Sequence, residues 1–338
     1  MHTRDRTSAI APSSDFSAPL PPSSAKTESS PQALPPLKIG TRGSALALAQ
    51  AHELQKRLAA AHAIDAAHFA LEIIKTTGDM IQDRPLAEAG GKGLFTKELD
   101  AALMNGRIDI AVHSAKDLPT VLPAEIEIIG YLPREDTRDV WISNKAPHPR
   151  ALPAGAIVGT ASLRRGAMVK RLRPDLNVTL LRGNVETRLD KVMRGDVDAT
   201  LLALAGLRRL GLADRATAIL DCEDFVPAVG QGAIGITARR GDESAAALLA
   251  PILDPATGVA LLSERALLRV LDGSCRTPIG GFARLEGSEL VLHAIILRPD
   301  GSQFFETRLS GAQSDAERIG EAAARELLAR APAGFLEA

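Results

Sequence analysis

From Leu37 onward one pattern repeats: a short apolar run, a turn built from Gly, Ser, Thr or Arg, then a stretch with helical spacing. Leu37 to Thr41 reads as a strand running into Arg42-Gly43-Ser44, and Ala45 to about Ala61 reads as a helix. The order returns with a strand at Ala70 to Lys75, a polar loop through Thr77-Gly78-Asp79 and a glycine-rich turn, Gly90-Gly91-Lys92-Gly93. A helix from about Phe95 to Met104 and a strand at Asp109 to Val112 complete this unit. Alternation of this kind predicts a largely parallel sheet covered by helices. A second unit of the same style starts after Pro133-Arg134-Glu135-Asp136, with strands near Ile157, Val178 and Ala199 and helices beginning near Ser162, Glu186 and Ala205. Two such lobes leave a cleft between them, and in open α/β sheets ligands gather at the carboxyl ends of the strands.

The spacing changes at Phe282. Strands joined by tight turns follow, with Glu286-Gly287-Ser288 and Pro299-Asp300-Gly301 as hairpin signals, and then a helix from about Ser314 to Ala331. This predicts a third, smaller α+β domain with an antiparallel sheet. The first 36 residues hold seven prolines and eight serines and no apolar secretory core, so they read as a disordered tail. A transit peptide is the competing reading: Arg4, Arg6 and the serines fit it, while Asp5, Asp15 and Glu28 oppose it.

Charge narrows the function. The chain carries 40 Lys and Arg against 41 Asp and Glu, a formal net charge of -1, and only 3% aromatic residues. The near-neutral charge argues against a generally basic surface for nucleic acid, and the low aromatic content argues against a stacking platform for bases. Two segments nevertheless concentrate cations beside small and hydroxyl residues: Thr160-Ala161-Ser162-Leu163-Arg164-Arg165 and Arg182-Gly183-Asn184-Val185-Glu186-Thr187-Arg188. With Ser162 as a helix N-cap, backbone N–H groups and guanidinium forks can converge on one carboxylate or phosphate. The plainer alternative is a solvated helix face.

Val112-His113-Ser114-Ala115-Lys116-Asp117-Leu118-Pro119 ends a buried strand with a base, a hydroxyl, an ammonium and a carboxylate. Asp117 reads equally as a structural cap or as a catalytic group, and His113 as a satisfied partner of the sheet. Only two cysteines occur, which argues against a disulfide framework. Cys275 follows the helical stretch Gly258 to Leu271 on a loop, Gly273-Ser274-Cys275-Arg276-Thr277, where Arg276 favours the thiolate. Cys222 lacks such neighbours and reads as an inert thiol. Neither a phosphate loop nor a metal-ligand spacing is present, and no apolar run is long enough to span a membrane.

Taken together, the segments from about Leu37 to the C-terminus resemble the porphobilinogen deaminase, or hydroxymethylbilane synthase, family. The resemblance also rests on Ile39-Gly40-Thr41-Arg42-Gly43-Ser44-Ala45-Leu46-Ala47, Gly91-Lys92-Gly93-Leu94-Phe95-Thr96-Lys97-Glu98-Leu99 and Pro227-Ala228-Val229-Gly230-Gln231-Gly232-Ala233. It implies two lobes like those of periplasmic binding proteins, with crossing segments near Pro133 to Thr137 and Pro227 to Gly232. The expected division is a tail at 1–36, a first lobe at 37–132 plus 233–250, a second at 138–226 and a third domain at 255–338.

The resemblance implies a transferase that deaminates porphobilinogen and joins the units head to tail on a covalent dipyrromethane, releasing hydroxymethylbilane for porphyrin and haem synthesis. Cys275 would carry the dipyrromethane through a thioether. Lys116, Thr160, Ser162, Arg164, Arg165, Arg182 and Arg188 would hold this primer, Arg42, Ser44 and Arg209 would bind nearer the substrate, and Asp117 would stabilise the reacting cation. No metal, nucleic acid or membrane is implied, and a cytoplasmic monomer is expected. Glu88 and Glu186 depart from the family pattern, which often has Lys and Gly there. A two-lobed solute-binding or effector-sensing protein is the alternative, and it would need neither Asp117 nor the Cys275 loop.

Overall fold

The computed structural model describes residues 36–80, 93–271 and 277–336. Its first part comprises β1 (Leu37–Thr41), α1 (Ala45–His62), β2 (Phe69–Ile73), the single turn α2 (Thr77–Met80), α3 (Lys97–Met104), β3 (Ile110–Ser114) and β4 (Ile126–Tyr131). The chain then crosses to β5 (Asp139–Ser143), β6 (Ile157–Gly159), α4 (Leu163–Leu172), β7 (Asn177–Thr179), α5 (Val185–Met193), β8 (Ala199–Ala203), α6 (Leu204–Arg209) and β9 (Ala218–Ile219). It returns through β10 (Ile234–Arg239), α7 (Glu243–Leu249) and α8 (Pro255–Val270). It closes with β11 (Ile279–Glu286), β12 (Glu289–Leu297), β13 (Phe304–Ala312) and α9 (Ala316–Arg330).

The first sheet has the order β2-β1-β3-β10-β4 and the second the order β7-β6-β8-β5-β9. The two are built alike. In each, three neighbouring strands are parallel and the last two pairings are antiparallel. The expectation of largely parallel sheets is corrected by this mixed order, and the physical reason is the route of the chain. A strand arriving from the other lobe enters beside the carboxyl end of a parallel strand and must run back along it. Thus Ile234 at the start of β10 pairs with Ser114 at the end of β3, and Asp139 at the start of β5 pairs with Ala203 at the end of β8. Both crossings therefore lie at the strand ends where ligand groups are delivered.

The crossing segments are bonded to each other. Leu132 N–H donates to Ile234 O at 3.1 Å, Glu135 N–H to Gly232 O at 3.2 Å, and Gln231 Nε2 to Thr137 O at 2.8 Å. Gly232 takes φ +88°, and a Cβ there would stand 2.3 Å from Glu135 O. Only glycine satisfies both the dihedral and the close approach.

The third sheet, β11-β12-β13, is an antiparallel meander that buries one face under α8 and α9, with Leu267, Leu292, Ala323 and Leu327 in its core. Gly287 and Gly301 supply positive φ at the turns read from the sequence. Ile295 and Leu297 of β12 enter a second cluster with Trp141, Met168 and Phe225, so this sheet also packs against the β5 and α4 side of the molecule.

Candidate active site

Four arginines, one lysine and two aspartates come together where the strands end. After β6, Thr160 Oγ1 accepts from Ser162 N at 3.1 Å, and Ser162 Oγ accepts from Arg165 N at 3.3 Å, which starts α4. Arg164 and Arg165 occupy its first turn and are 4% and 5% exposed, so the solvated-face alternative does not hold. They converge on a carboxylate of the chain itself. Arg165 Nε donates to Asp139 Oδ1 at 2.8 Å, and Arg164 Nη2 lies 2.8 Å from Asp139 Oδ2. Backbone oxygens hold their outer sides, Val226 O at 2.7 Å from Arg164 Nη1 and Leu201 O at 3.0 Å from Arg165 Nη1. Asp139 is fully buried. Burial pushes its pKa up, but Arg164, Arg165 and Lys116 outweigh it and hold the carboxyl below its ordinary range.

A second turn brings two more cations. Gly183, at φ +123°, leads into Asn184, whose Oδ1 accepts from Thr187 N at 2.8 Å and starts α5. Arg188 folds back so that its Nε donates to Gly183 O at 2.9 Å. Burial, followed by the nearby charges of Arg165 and Arg182, lowers the Arg188 pKa to about 10. Glu186, the departure noted in the sequence, is exposed. Lys116, on the single 3-10 turn after β3, places Nζ 3.4 Å from Gln231 Oε1 of the second crossing segment. Its pKa falls to about 8, chiefly through burial and then through Arg165.

Asp117 is the next residue, delivered by the same turn with its side chain 31% exposed. Its Oδ2 lies 3.8 Å from Arg42 Nη1. Arg42 is itself held by Asp79, through Nε to Oδ2 at 3.1 Å and through a shorter Nη2 to Oδ1 contact, and it lies over the Phe95 ring. Thr76 Oγ1 donates to Asp79 Oδ2 at 2.7 Å. Burial raises the Asp79 pKa, yet the hydrogen bonds from Arg42 and Thr76 bring it below its usual value. Ser44 caps α1, accepting from Ala47 N at 3.3 Å. Arg209 links the lobes: its Nε donates to Glu53 Oε2 of α1 at 3.1 Å and its Nη2 to Gly232 O at 3.1 Å. His113 is buried with Nε2 at 3.0 Å from Thr237 Oγ1, and burial together with Arg42 lowers its pKa to about 3. It is a neutral sheet residue, as read from the sequence.

Asp139 and Asp79 were not singled out by the sequence reading. Both stand in polar stretches where an acid looks ordinary, and only the guanidiniums they face give them meaning. Cys275, Glu88 and Gly90 to Lys92 lie outside the described residues. Cys222 is partly buried, with its thiol pKa raised by burial. A cavity of ≈ 540 Å³ lies elsewhere, between residues 133–138, the start of α8 and β11, and none of the site residues lines it.

Residues 37–247 match the family model of the porphobilinogen deaminase dipyromethane cofactor binding domain, and residues 259–329 match that of the porphobilinogen deaminase C-terminal domain. Porphobilinogen deaminases of Nitrobacter winogradskyi and Nitrobacter hamburgensis are each 58% identical over 297 residues, 88% of this chain and 94% of theirs. The chain belongs to the porphobilinogen deaminase family. Among solved structures, a periplasmic substrate-binding protein of an ABC transporter from Coxiella burnetii covers 65% of this chain and 93% of its own at 15% identity, with a TM-score of 0.41. The BvgS periplasmic VFT2 domain of Bordetella pertussis covers 65% and 87% at 16% identity, with a TM-score of 0.38.

The residues present fit the dipyrromethane that the family carries. Arg164 Nε is buried without a hydrogen-bond acceptor among the described residues, and the cations around Asp139 outnumber the carboxylates. A ligand bearing several carboxylates supplies both the missing acceptor and the missing charge.

Proposed function

We propose that this chain deaminates porphobilinogen and joins the units head to tail on a bound dipyrromethane, with the arginine cluster as primer site and Asp117 as catalytic carboxylate. The supporting observation is the convergence of Lys116, Arg164, Arg165, Arg182 and Arg188 on the strand ends beside Asp117. Each pyrrole unit brings an acetate and a propionate arm, so these cations, with Thr160 and Ser162, hold carboxylates through forked hydrogen bonds. When bound, the dipyrromethane supplies the free pyrrole α-carbon to which the first unit is joined.

Arg42, Ser44 and Arg209 take the carboxylates of the incoming porphobilinogen. The C–N bond of its aminomethyl group breaks, ammonia leaves, and a cationic methylene-pyrrolenine results. Asp117 accepts from the pyrrole N–H and stabilises that cation, and its place on a turn backed by the buried strand β3 fixes it before charge develops. Arg42, 3.8 Å away, keeps the Asp117 carboxylate beside the substrate's acid groups. Each addition joins the methylene carbon to a free pyrrole α-carbon, which then loses its proton, and after four additions water releases hydroxymethylbilane.

Cys275 is the proposed attachment point. The proposal includes the division into lobes at 37–132 plus 233–250 and 138–226 with a third domain at 255–338, and a cytoplasmic monomer. Among the described residues no single helix is long and apolar enough to cross a membrane. Intact mass of the protein from haem-competent cells tests the function. Two linked pyrrole units on Cys275 and a coloured product with Ehrlich's reagent in acid are expected. An unmodified chain that still consumes porphobilinogen would contradict the reading.

A further inference from the structure

Residues 164 and 165 are neighbours on a helix, and neighbouring side chains leave a helix roughly 100° apart. Two guanidiniums so placed, and of like charge, do not converge unless something draws them together. Asp139 does. Its Oδ1 lies 2.7 Å from Arg165 Nη2 and accepts from Arg165 Nε at 2.8 Å, while its Oδ2 lies 2.8 Å from Arg164 Nη2. The carboxylate is rigidly backed. Asp139 opens β5, which is paired on one side with β8 and on the other with β9, and Asp139 O accepts from Leu220 N at 2.9 Å.

We propose that Asp139 is a positioning residue for the primer site, fixing the Arg164 and Arg165 guanidiniums so that Arg164 Nε stays available to a pyrrole carboxylate. The inference rests on the proposed assignment of both arginines to the dipyrromethane. With each guanidinium held by Asp139 on one side and a backbone carbonyl on another, its remaining donors have one orientation. The site is thus formed before its ligand arrives, and the ordering cost is met during folding rather than during loading. Asp139 also neutralises part of a cluster whose members otherwise repel one another, as the effect of Arg165 on both Lys116 and Arg188 shows.

The test uses full-length protein made in cells unable to synthesise porphobilinogen. Purified protein is mixed with porphobilinogen, and intact mass follows the appearance of the two-unit primer, while circular dichroism and a thermal melt report folding. Folded Asp139→Asn is expected to load about 10-fold or more slowly, the scale of losses when a supporting residue is removed from a preorganised site. A purely structural role would shift the melting temperature and leave the loading rate of folded protein unchanged, and that result overturns the proposal.

Arg164→Gln and Arg164→Gln/Asp139→Asn form a second comparison that removes the ion pair as a unit and so limits the burden on folding. If Asp139 also positions Arg165, the double variant loads more slowly than the single one; equal rates overturn the proposal. Should Arg164→Gln and Arg165→Gln both load at the wild-type rate, the primer assignment falls and the role of Asp139 falls with it. Slow loading by those two beside normal loading by Asp139→Asn removes the role of Asp139 alone.

Discussion

Arg134 and Glu264 are paired through both oxygens, Nη1 to Oε1 at 2.6 Å and Nη2 to Oε2 at 3.1 Å, and Glu264 is fully buried. The same carboxylate accepts from Gly230 N at 2.7 Å and from Ala283 N at 2.8 Å. One side chain of α8 thereby ties the first crossing segment, the second crossing segment and β11 at a single point.

Arg134→Ala leaves that carboxylate buried with only its two backbone donors. Removing one member of a buried pair typically costs ~3–5 kcal/mol. Urea unfolding followed by circular dichroism should show a loss on that scale, and a loss below ~1 kcal/mol would mean that the pair adds little to stability.

Gly232→Ala and Gly241→Ala separate two meanings of glycine. Both positions have positive φ, but a Cβ at Gly232 meets Glu135 O at 2.3 Å while a Cβ at Gly241 meets open space. The change at 232 must also push the crossing segments apart, adding ~1–3 kcal/mol to the dihedral penalty that both variants carry. Denaturation midpoints of the two variants side by side should differ accordingly, and equal midpoints would contradict the close approach.

How much of this was legible in the sequence follows from what each signal depends on. The units of strand, turn and helix and the hairpins at Gly287 and Gly301 are local, and they were read at nearly the observed boundaries. The antiparallel strands β5 and β10 were not, because the direction of a strand depends on where the chain comes from and not on its residues. Arg164, Arg165, Arg182 and Arg188 stood out as a cationic group in a nearly neutral chain. Their partner Asp139 lies 25 residues before Arg164 in sequence and meets it only through the fold. Asp117 was visible at a strand end, whereas Asp79 required Arg42 to be seen beside it.

The pH dependence of primer loading should carry the mark of Lys116. Its pKa in the unloaded protein is lowered to about 8, so raising the pH through 8 removes a positive charge that holds carboxylates. Loading should therefore slow between about pH 7 and pH 9, and Lys116→Arg, which stays protonated there, should flatten that limb. The same shift has an opposite effect on folding. From pH 8 to about 10.5 the unfolded chain binds more protons at this lysine than the folded chain, so the lysine's destabilising contribution is relieved as pH rises across that window. Loading rates across the range, with stability measured in parallel, check both signs.

Asp117→Ala, taken to a single turnover by rapid mixing of primer-loaded protein with porphobilinogen, tests the catalytic claim most directly. The change spares every arginine of the cluster, so the variant should fold and, supplied with preformed primer, carry its full mass. Ammonia release and chain extension should then fall by ~100-fold or more, as when an electrostatic stabiliser is removed from a preorganised site. Turnover close to that of the unaltered protein in a folded, loaded Asp117→Ala variant would contradict the account.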